Sequence, residues 1–263
     1  MKKTKIGIIG GGNMGGAIIG GICKEYNVSV REQDQKRLQW LKRKYKIVTG
    51  DLKTVVKRSQ VIILAVKPRS FDSVLKELRP LLKQDQLVIS IAAGITCRYV
   101  EKRLGTKTRV IRAMPNLPAQ VGEGITGICA GKAAGKKDLI FAQVLFSRVG
   151  VTAVLEEKYM DALTAASGSG PAYVFLFIES MTKAVRALGF DEKTSRALVL
   201  RTIIGSLDLL VQQKEDAGVL RARVTSKGGT TQAAMDVFAK HDFKMVFKEA
   251  LSAAKKRAKE LSK

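Results

Sequence analysis

The chain has 263 residues, 46% of them hydrophobic and 27% charged, with 24 Gly and 5 Pro, a composition typical of a folded protein of one or two domains and not of a disordered or fibrous one. Lys and Arg outnumber Asp and Glu by 47 to 23, for a formal net charge of +24. The basic residues are scattered, without zinc-finger spacing, an RNP-type motif or a heptad-backed basic region, which favours a solvated surface that attracts anionic ligands over a specific nucleic-acid site.

Short apolar runs alternate with helical or polar segments in the first part of the chain. The predicted strands are 5–10, 28–31, 61–66, 87–93 and 109–114, with two further candidates at 124–130 and 150–155. Alternation of strands and helices predicts a parallel sheet. Because the strand at 61–66 is apolar throughout, we expect helices on both faces of the sheet, as in a doubly wound, Rossmann-type α/β fold.

Three glycines with the spacing of a dinucleotide-binding turn follow the first predicted strand. Gly10, Gly12 and Gly15 form the pattern G-x-G-x-x-G, and a helix-like segment occupies 13–22. The first glycine permits a tight turn, the second lets a diphosphate approach the backbone, and the third allows close packing of the helix. The pattern alone would also suit a plain glycine-rich turn, but its position between a strand and a helix favours dinucleotide binding.

The end of the second predicted strand bears on the choice between NAD(H) and NADP(H). Glu32 is suited to binding the ribose diol and repelling a 2′-phosphate, whereas Arg31, Lys36 or Arg37 would attract that phosphate. The acidic residue favours NADH slightly, and both cofactors stay open. The alternative for each of these side chains is an ordinary solvated position at the start of a helix.

Beyond residue 155 the apolar residues follow a helical period. The predicted helices are 159–188, 192–213, 231–239 and 243–261. We therefore predict a dinucleotide-binding domain at 1–155 and an all-helical domain at 156–263. Residues 172–178 are nearly all apolar and leave that helix no polar face for water. Either the interior of the same domain or a partner subunit would cover them, and the pattern favours a homodimer or a higher homo-oligomer.

The few metal-binding or nucleophilic side chains limit the possible chemistry. Cys23, Cys97 and Cys129 are far apart in sequence and form no Cys-x-x-Cys pair, which indicates neither a disulfide framework nor a zinc site. His241 is the single histidine, and we interpret it as an exposed loop or helix-cap residue. No stretch reaches the roughly 18 uninterrupted apolar residues of a membrane span. We therefore expect a cytoplasmic protein without a bound metal or membrane contact.

Several longer segments of the chain carry a family resemblance. They are Gly-Gly-Gly-Asn-Met at 10–14, Val-Ile-Ile-Leu-Ala-Val-Lys-Pro at 61–68, Ile-Ser-Ile-Ala-Ala-Gly-Ile at 89–95, Arg-Ala-Met-Pro-Asn-Leu-Pro-Ala at 112–119, Val-Gly-Glu-Gly at 121–124, Asp-Ala-Leu-Thr-Ala-Ala-Ser-Gly-Ser-Gly-Pro-Ala-Tyr at 161–173 and Val-Thr-Ser-Lys-Gly-Gly-Thr-Thr at 224–231. In this order, and over nearly the whole chain, they resemble the segments of pyrroline-5-carboxylate reductases. Any single segment could arise by chance, but the ordered set is highly specific.

The resemblance implies an enzyme that reduces 1-pyrroline-5-carboxylate to L-proline, the last step of proline biosynthesis, with hydride from NADH or NADPH. It also implies that residues 65–68 and 93–94 line the nicotinamide half of the cofactor, at the carboxyl ends of strands. The residues that the resemblance and the glycine pattern assign to the cofactor are Ile9, Gly10, Gly11, Gly12, Asn13, Met14, Glu32, Ala65, Val66, Lys67, Pro68, Ala93, Gly94 and Asn116.

The resemblance further implies that the second domain binds the substrate carboxylate in a loop before a helix. The loop residues are Ser226, Gly228, Gly229, Thr230 and Thr231. Glycines expose backbone amides, hydroxyls add donors, and a helix N-terminus is positive. Thr231 is assigned to the hydrogen bond at the imine nitrogen. The spacing alone would equally suit a turn in which Thr230 or Thr231 caps the helix.

Three positions depart from the pattern that is usual in the family. Leu117 stands where Thr is common, Lys227 where Pro is common, and Leu52 where a cofactor-contacting Asn is often found. These departures keep open a related imine or keto-acid reductase. A non-catalytic relative that binds a dinucleotide as a signal is a further alternative, against which the intact substrate loop speaks.

Overall fold

The computed structural model describes residues 3–262, so Met1, Lys2 and Lys263, at the ends of the two predicted domain ranges, lie outside the described residues. The chain divides into two compact units. The first unit runs to Pro171 and resumes at Ala254, and the second comprises Ala172–Ala253. The division of function at residue 155 stays a prediction.

An eight-stranded sheet forms the centre of the first unit. Its strands are β1 (Lys5–Ile9), β2 (Asn27–Arg31), β3 (Val48–Thr49), β4 (Val61–Leu64), β5 (Leu87–Ser90), β6 (Arg109–Met114), β7 (Gly124–Ala130) and β8 (Gly150–Val154). They lie in the order β3-β2-β1-β4-β5-β6-β7-β8, and every neighbouring pair is parallel except the antiparallel pair β6 and β7. The chain leaves β1 towards β3 and returns at β4, which makes the β1–β4 junction the topological switch point where such sheets bind ligands.

Helices cover both faces of this sheet, as predicted. They are α1 (Asn13–Ile22), α2 (Gln35–Lys44), α3 (Leu52–Arg58), α4 (Phe71–Leu78), α5 (Cys97–Leu104) and α6 (Lys136–Phe146). Successive strand residues point to opposite faces. Ile8 accordingly packs in one core cluster with Ile19 of α1, whereas Ile9 packs in a second cluster with Leu75 of α4. The apolar strands are therefore buried on both sides, which explains why their sequences do not alternate.

Three details of the sheet differ from the predictions. The two-residue strand β3 is too short to give a sequence pattern. Strands β4 and β5 end at Leu64 and Ser90, before the predicted ends at 66 and 93, because the apolar residues that follow them form turns. Strand β7 is antiparallel to β6 because residues 115–123 between them are fewer than the roughly dozen residues that a parallel crossover needs.

Helices form most of the chain beyond β8. They are α7 (Met160–Leu163), α8 (Gly170–Ala187), α9 (Glu192–Gln213), α10 (Ala217–Arg223), α11 (Thr230–Lys240) and α12 (Phe243–Leu261). The prediction of one continuous helix over 159–188 is wrong, because a π-helical turn at Thr164–Gly168 separates α7 from α8. Gly168 and Gly170 weaken helical order there, and Pro171 lacks the N–H that would continue the hydrogen-bond ladder. Helix α10 was not predicted. Among residues 3–262, the helices lack the combination of length and hydropathy that a bilayer crossing requires.

Candidate active site

The glycine turn between β1 and α1 has the geometry that its sequence pattern predicts. Gly10 has a φ of 103°, a left-handed value that side-chain-bearing residues rarely adopt. Its N–H donates to the Arg31 carbonyl at 2.9 Å, and the N–H of Ala65 donates to the Ile9 carbonyl at 2.8 Å. The turn is thereby joined to the ends of both neighbouring strands, β2 and β4, at the switch point of the sheet.

The start of α1 fits an anionic diphosphate. Gly12 precedes the helix, and no side chain caps the first amides of α1. A Cβ built on Gly12 would meet no atom within 4 Å, whereas a Cβ on Gly15 would lie 2.1 Å from the Gly10 carbonyl oxygen. The space above Gly12 is open, and Gly15 brings the helix against the turn. Uncapped amides at a positive helix end suit the diphosphate of a dinucleotide.

Glu32 lies directly after β2 and contacts the glycine turn. Its Oε2 accepts a hydrogen bond from the Gly11 N–H at 2.5 Å. Its Oε1 accepts from the N–H groups of Gln33 at 2.6 Å and Asp34 at 2.9 Å. Three backbone donors therefore hold the carboxylate in one position beside the turn.

Arg37 of α2 holds the same turn from another direction, which the sequence did not reveal. Its Nε donates to the Gly11 carbonyl at 2.7 Å and its Nη2 to the Gly12 carbonyl at 3.0 Å. Its guanidinium carbon lies 4.3 Å from the centre of the Trp40 ring. Arg37 is therefore part of the support of the glycine turn and not a freely mobile surface cation.

The segments predicted to line the nicotinamide half follow the two next strands. Residues 65–67 continue from β4 into a short 3₁₀ helix that begins at Pro68, with Lys67 as its N-cap. Ala93 and Gly94 follow β5, in the connection to α5. Because β2, β1, β4 and β5 are adjacent, their carboxyl ends bring the glycine turn, Glu32, residues 65–68 and residues 93–94 to one edge of the sheet.

Asn116 is placed by hydrogen bonds within the first unit. Its Oδ1 accepts from the Ile125 N–H at 2.9 Å, and its Nδ2 donates to the Ser167 Oγ at 3.1 Å. Two segments that carry the family resemblance, 112–119 and 161–173, therefore meet at this side chain. Both the oxygen and the nitrogen of the side-chain amide have partners within the protein, so the contacts show that Asn116 holds these two segments together. A cofactor contact by Asn116 stays a prediction.

The predicted substrate loop lies in the second unit and precedes α11. Gly228 has a φ of 72°, and the Gly229 N–H donates to the Ser226 carbonyl at 3.0 Å. Gly229 is the N-cap of α11, without a side-chain cap. Thr230 and Thr231 are the first two residues of the helix, so neither is its N-cap. The loop thus presents amides and hydroxyls at a positive helix end, as an anion site requires.

The three departures from the family pattern lie in different surroundings. Leu52 is the first residue of α3 and is buried in the second core cluster. Leu117 is exposed at the start of the 3₁₀ segment Leu117–Val121. Lys227 is exposed in the substrate loop. The three departures therefore change side chains near the predicted sites and leave the glycines of the dinucleotide turn and of the substrate loop in place.

A buried arginine forms an ionic network that the sequence analysis missed. Arg112, in the middle of β6, is 2% exposed, and its guanidinium lies 3.4 Å from a Glu157 oxygen and 3.5 Å from an Asp161 oxygen. The Ser262 hydroxyl donates to the same Asp161 oxygen at 3.0 Å, and a Cβ on Gly94 would lie 2.7 Å from the Leu261 carbonyl oxygen. The end of α12 therefore packs beside the 93–94 turn. A charged residue with apolar neighbours on both sides in the predicted strand 109–114 was the available signal for this network.

Two cysteines that are distant in sequence lie together beside this network. The ligand atoms of Cys97, Cys129 and Glu157 all lie within 4.8 Å of one another, and the Cys97 N–H donates to Glu157 at 2.7 Å. The contact with the Cys129 thiol, followed by burial, raises the pKa of the Cys97 thiol. The Cys97 thiol therefore stays protonated at neutral pH, and the expectation of no bound metal stays a prediction.

Two sequence profiles match the chain, one for each predicted half. The profile described as NADP oxidoreductase coenzyme F420-dependent matches residues 5–94, which include the glycine turn and Glu32. The profile described as pyrroline-5-carboxylate reductase dimerisation matches residues 157–261, which include the substrate loop and α8 to α12. The chain therefore combines a dinucleotide-binding region of oxidoreductases with a dimerisation region.

Curated relatives and solved structures of one family match the chain over its length. Pyrroline-5-carboxylate reductase 2 of Bacillus subtilis is 36% identical, over 98% of this chain and 95% of the relative. The enzyme of Methanosarcina acetivorans is 37% identical, over 100% of both chains.

Two structures extend this agreement to the fold. The pyrroline-5-carboxylate reductase of Coxiella burnetii has a TM-score of 0.91 and 36% identity, and the Plasmodium falciparum enzyme, solved with NADP bound, has a TM-score of 0.88 and 30% identity; each match covers 100% of both chains. The predicted resemblance is confirmed, and this chain belongs to the pyrroline-5-carboxylate reductase family.

Proposed function

We propose that this chain reduces 1-pyrroline-5-carboxylate to L-proline, with NADH or NADPH as the reductant. The observation that carries the proposal is the shared sheet edge, where the glycine turn, Glu32 and the turns after β4 and β5 converge. The reduced nicotinamide, when bound, supplies the hydride that the ring C=N carbon accepts. Membership of the family and the intact substrate loop support this substrate over another imine or a keto acid.

The chain's own residues bind and orient the two reactants. The amides at the start of α1 hold the diphosphate, and the segments 65–68 and 93–94 line the nicotinamide. The loop before α11 holds the substrate carboxylate through its amides and hydroxyls, and Thr231 forms the hydrogen bond at the imine nitrogen. Holding the reacting groups in register can supply effective molarities on the order of 10⁵ M or more.

The proposed reaction needs little acid–base chemistry from the protein. A cyclic imine that enters protonated is already electrophilic and already carries the proton that the product amine retains. This agrees with the placement of His241, which is exposed and forms the C-cap of α11. We therefore assign no general acid to a histidine or a cysteine.

We propose that the enzyme is a homodimer or a higher homo-oligomer that assembles through the second unit. An apolar groove of about 600 Å³ is lined there by aromatic residues of α8, α11 and α12. They include Phe177, Phe238, Phe243 and Phe247, and the rings of Phe243 and Phe247 are 5.1 Å apart. Such a surface is typical of subunit interfaces. The match to the dimerisation profile supports a second copy as its partner.

We also propose a cytoplasmic location and a division of labour between the two predicted domains. Cys23, Cys97 and Cys129 are free thiols, which suits a reducing compartment. Residues 1–155 would bind the cofactor, and residues 156–263 would bind the substrate and mediate dimerisation. Whether the loop completes the site of its own subunit or of its partner is a separate question that mixed dimers of two inactive variants would answer.

One assay tests the proposed reaction directly. Purified protein is mixed with 1-pyrroline-5-carboxylate and either NADH or NADPH, and the decrease in absorbance at 340 nm is followed together with formation of proline. We expect substrate-dependent oxidation of at least one cofactor and equimolar proline. Cofactor binding without turnover on this substrate would instead support the regulatory alternative, and turnover on keto acids alone would support the related reductase.

The high positive charge gives the nucleic-acid alternative a test of its own. Duplex DNA binding tighter than micromolar, with a steep dependence on salt, would support it. We expect only weak binding that disappears as the salt concentration rises, because the basic residues are scattered.

A further inference from the structure

We propose that this enzyme prefers NADH to NADPH, and that Glu32 determines the preference. The inference rests on the proposed function, since it concerns the cofactor of the same site. It goes further because membership of the family leaves the two cofactors open, and a relative has been solved with NADP.

The Glu32 carboxylate lies beside the glycine turn. Glu32 follows β2, the strand beside β1, and contacts the second residue of the glycine turn. In sheets of this topology the adenosine ribose lies at this strand end, and an acidic residue there binds the ribose hydroxyls. A 2′-phosphate on that ribose would meet the same carboxylate and be repelled.

Three backbone hydrogen bonds fix the Glu32 carboxylate in this position. Backbone N–H groups of Gly11, Gln33 and Asp34 donate to it at 2.5, 2.6 and 2.9 Å. Rotation of the side chain away from an incoming phosphate would break these charge-assisted bonds, which are stronger than bonds between neutral groups. An ionised carboxylate has about four acceptor positions, so one position on Oε2, beside Gly11, is left for a ribose hydroxyl.

The competing cation, Arg37, is already hydrogen-bonded to the glycine turn. Arg37 uses Nε and Nη2 on the carbonyls of Gly11 and Gly12 and stacks on Trp40. To grip a 2′-phosphate with the usual two-pronged geometry, it would have to give up a bond that holds the turn. Lys36 is exposed on α2, and Arg31 lines a surface pocket that it shares with the acidic residues Asp51 and Glu77. The cations near the strand end therefore do not outweigh Glu32.

The test compares matched ligands with and without the 2′-phosphate. Titration calorimetry with ADP-ribose and 2′-phospho-ADP-ribose measures the affinity of the ribose subsite for each ligand without turnover. The values of kcat/KM for NADH and NADPH measure the same preference during the reaction. We expect the wild type to favour the unphosphorylated member of each pair by roughly 10- to 100-fold, the range for a hydrogen bond to a charged group. The ratio within one preparation is insensitive to partial misfolding.

Variants then assign the preference to the residue. In Glu32→Ser, and less completely in Glu32→Gln, the ratio should fall by at least tenfold, mainly through tighter binding of the phosphorylated ligand. Glu25 is an exposed residue after α1 whose carboxylate pairs with Arg148 at 2.8 Å. The control variant Glu25→Gln should keep the wild-type ratio. Arg37→Gln should weaken both ligands together, because Arg37 supports the turn and does not read the phosphate.

Three results would overturn the inference: a wild-type preference for the phosphorylated ligands, an unchanged ratio in both Glu32 variants, or a selective loss of the phosphorylated ligands in Arg37→Gln. Failure of the proposed function is distinguishable from these results. If neither cofactor is oxidised in the presence of 1-pyrroline-5-carboxylate, the reaction is wrong, while the binding ratio of the two ADP-ribose ligands still decides the role of Glu32.

Discussion

The two units of the chain differ in how completely they bury their apolar side chains. Strands β4 and β5 of the first unit are buried at every position, and helices pack on both faces of the sheet. In the second unit, α10 and α11 contain no buried residue among those described, and α9 buries only Ser195 and Val199. The first unit has a core of its own, whereas the second unit leaves many large apolar side chains exposed in the single chain.

The largest effect should follow from placing a charge on that surface. Leu176 of α8 is 63% exposed in the single chain. If a second copy covers it, Leu176→Lys buries an unpaired charge in each subunit, which costs several kcal/mol per ion. We expect the mass measured by light scattering to change from that of an oligomer to that of a monomer.

A matched substitution in the first unit serves as the control for this change. Val151 of β8 is 64% exposed, about as much as Leu176. Val151→Lys therefore places the same charge at an equally exposed position, in the unit that has its own core. The mass and the Tm of that variant should stay close to those of the wild type. Equal behaviour of the two lysine variants would mean that the second unit needs no partner.

The next effect concerns two glycines of the same turn that have different surroundings. A Cβ on Gly15 would lie 2.1 Å from the Gly10 carbonyl oxygen, and a Cβ on Gly12 would meet nothing. Gly15→Ala should destabilise the ligand-free protein by about 1–3 kcal/mol through overpacking. Gly12→Ala should leave the ligand-free Tm unchanged and weaken cofactor binding, since its methyl group enters the space assigned to the diphosphate.

Thermal unfolding and cofactor titration, measured on both glycine variants, separate these outcomes. Gly135→Ala is the control, because a Cβ at Gly135 also meets no atom within 4 Å and lies far from the turn in sequence. A loss of cofactor affinity in Gly135→Ala, or none in Gly12→Ala, would contradict the assignment of the diphosphate to the start of α1.

A smaller effect is expected at the substrate loop of the second unit. Thr231→Ala removes one hydrogen bond, worth about 1–3 kcal/mol when a buried polar partner is left unpaired, so kcat/KM for 1-pyrroline-5-carboxylate should fall roughly 10- to 100-fold. The cofactor dissociation constant should not change. Thr231→Ser, which retains the hydroxyl, should recover most of the activity. Wild-type kinetics in Thr231→Ala would refute the assignment.

The same contrast explains what the sequence could predict. The central strands β4 and β5 were recognisable because burial on both faces makes them continuously apolar, and the glycine turn because diphosphate binding requires bare backbone at fixed spacing. Arg37 was predicted only as a possible partner of a 2′-phosphate, and Arg112 was missed, since their observed partners are backbone carbonyls and carboxylates from distant segments. The break at Thr164–Gly168 was missed because the apolar period continues through it. Periodicity records which face is apolar but not where the backbone changes helical type.

The smallest effect compares one helix cap from each unit as the pH changes. Asp51 caps α3 and Asp191 caps α9, and each carboxylate accepts from the N–H of a threonine three residues on. Hydrogen bonds from the side chain and then the backbone amide of Thr54 lower the pKa of Asp51. Hydrogen bonds from the backbone amide and then the side chain of Thr194 lower the pKa of Asp191. Because the pKa is lower in the folded state, each ionised cap stabilises the protein at pH values above the unfolded-state pKa, which is near 3.9. This stabilisation is lost as the pH falls through the folded-state pKa.

Asp51→Asn and Asp191→Asn should therefore each lower the Tm slightly at pH 7, and the difference from the wild type should shrink below about pH 4. If the second unit is held mainly by its partner, the Asp191→Asn effect should also depend on protein concentration, because weakening α9 shifts the linked folding and assembly equilibrium. The Asp51→Asn effect should not. Tm measured at two pH values and two protein concentrations distinguishes the units, and a concentration-independent Asp191→Asn effect would indicate that the helical unit is stable by itself.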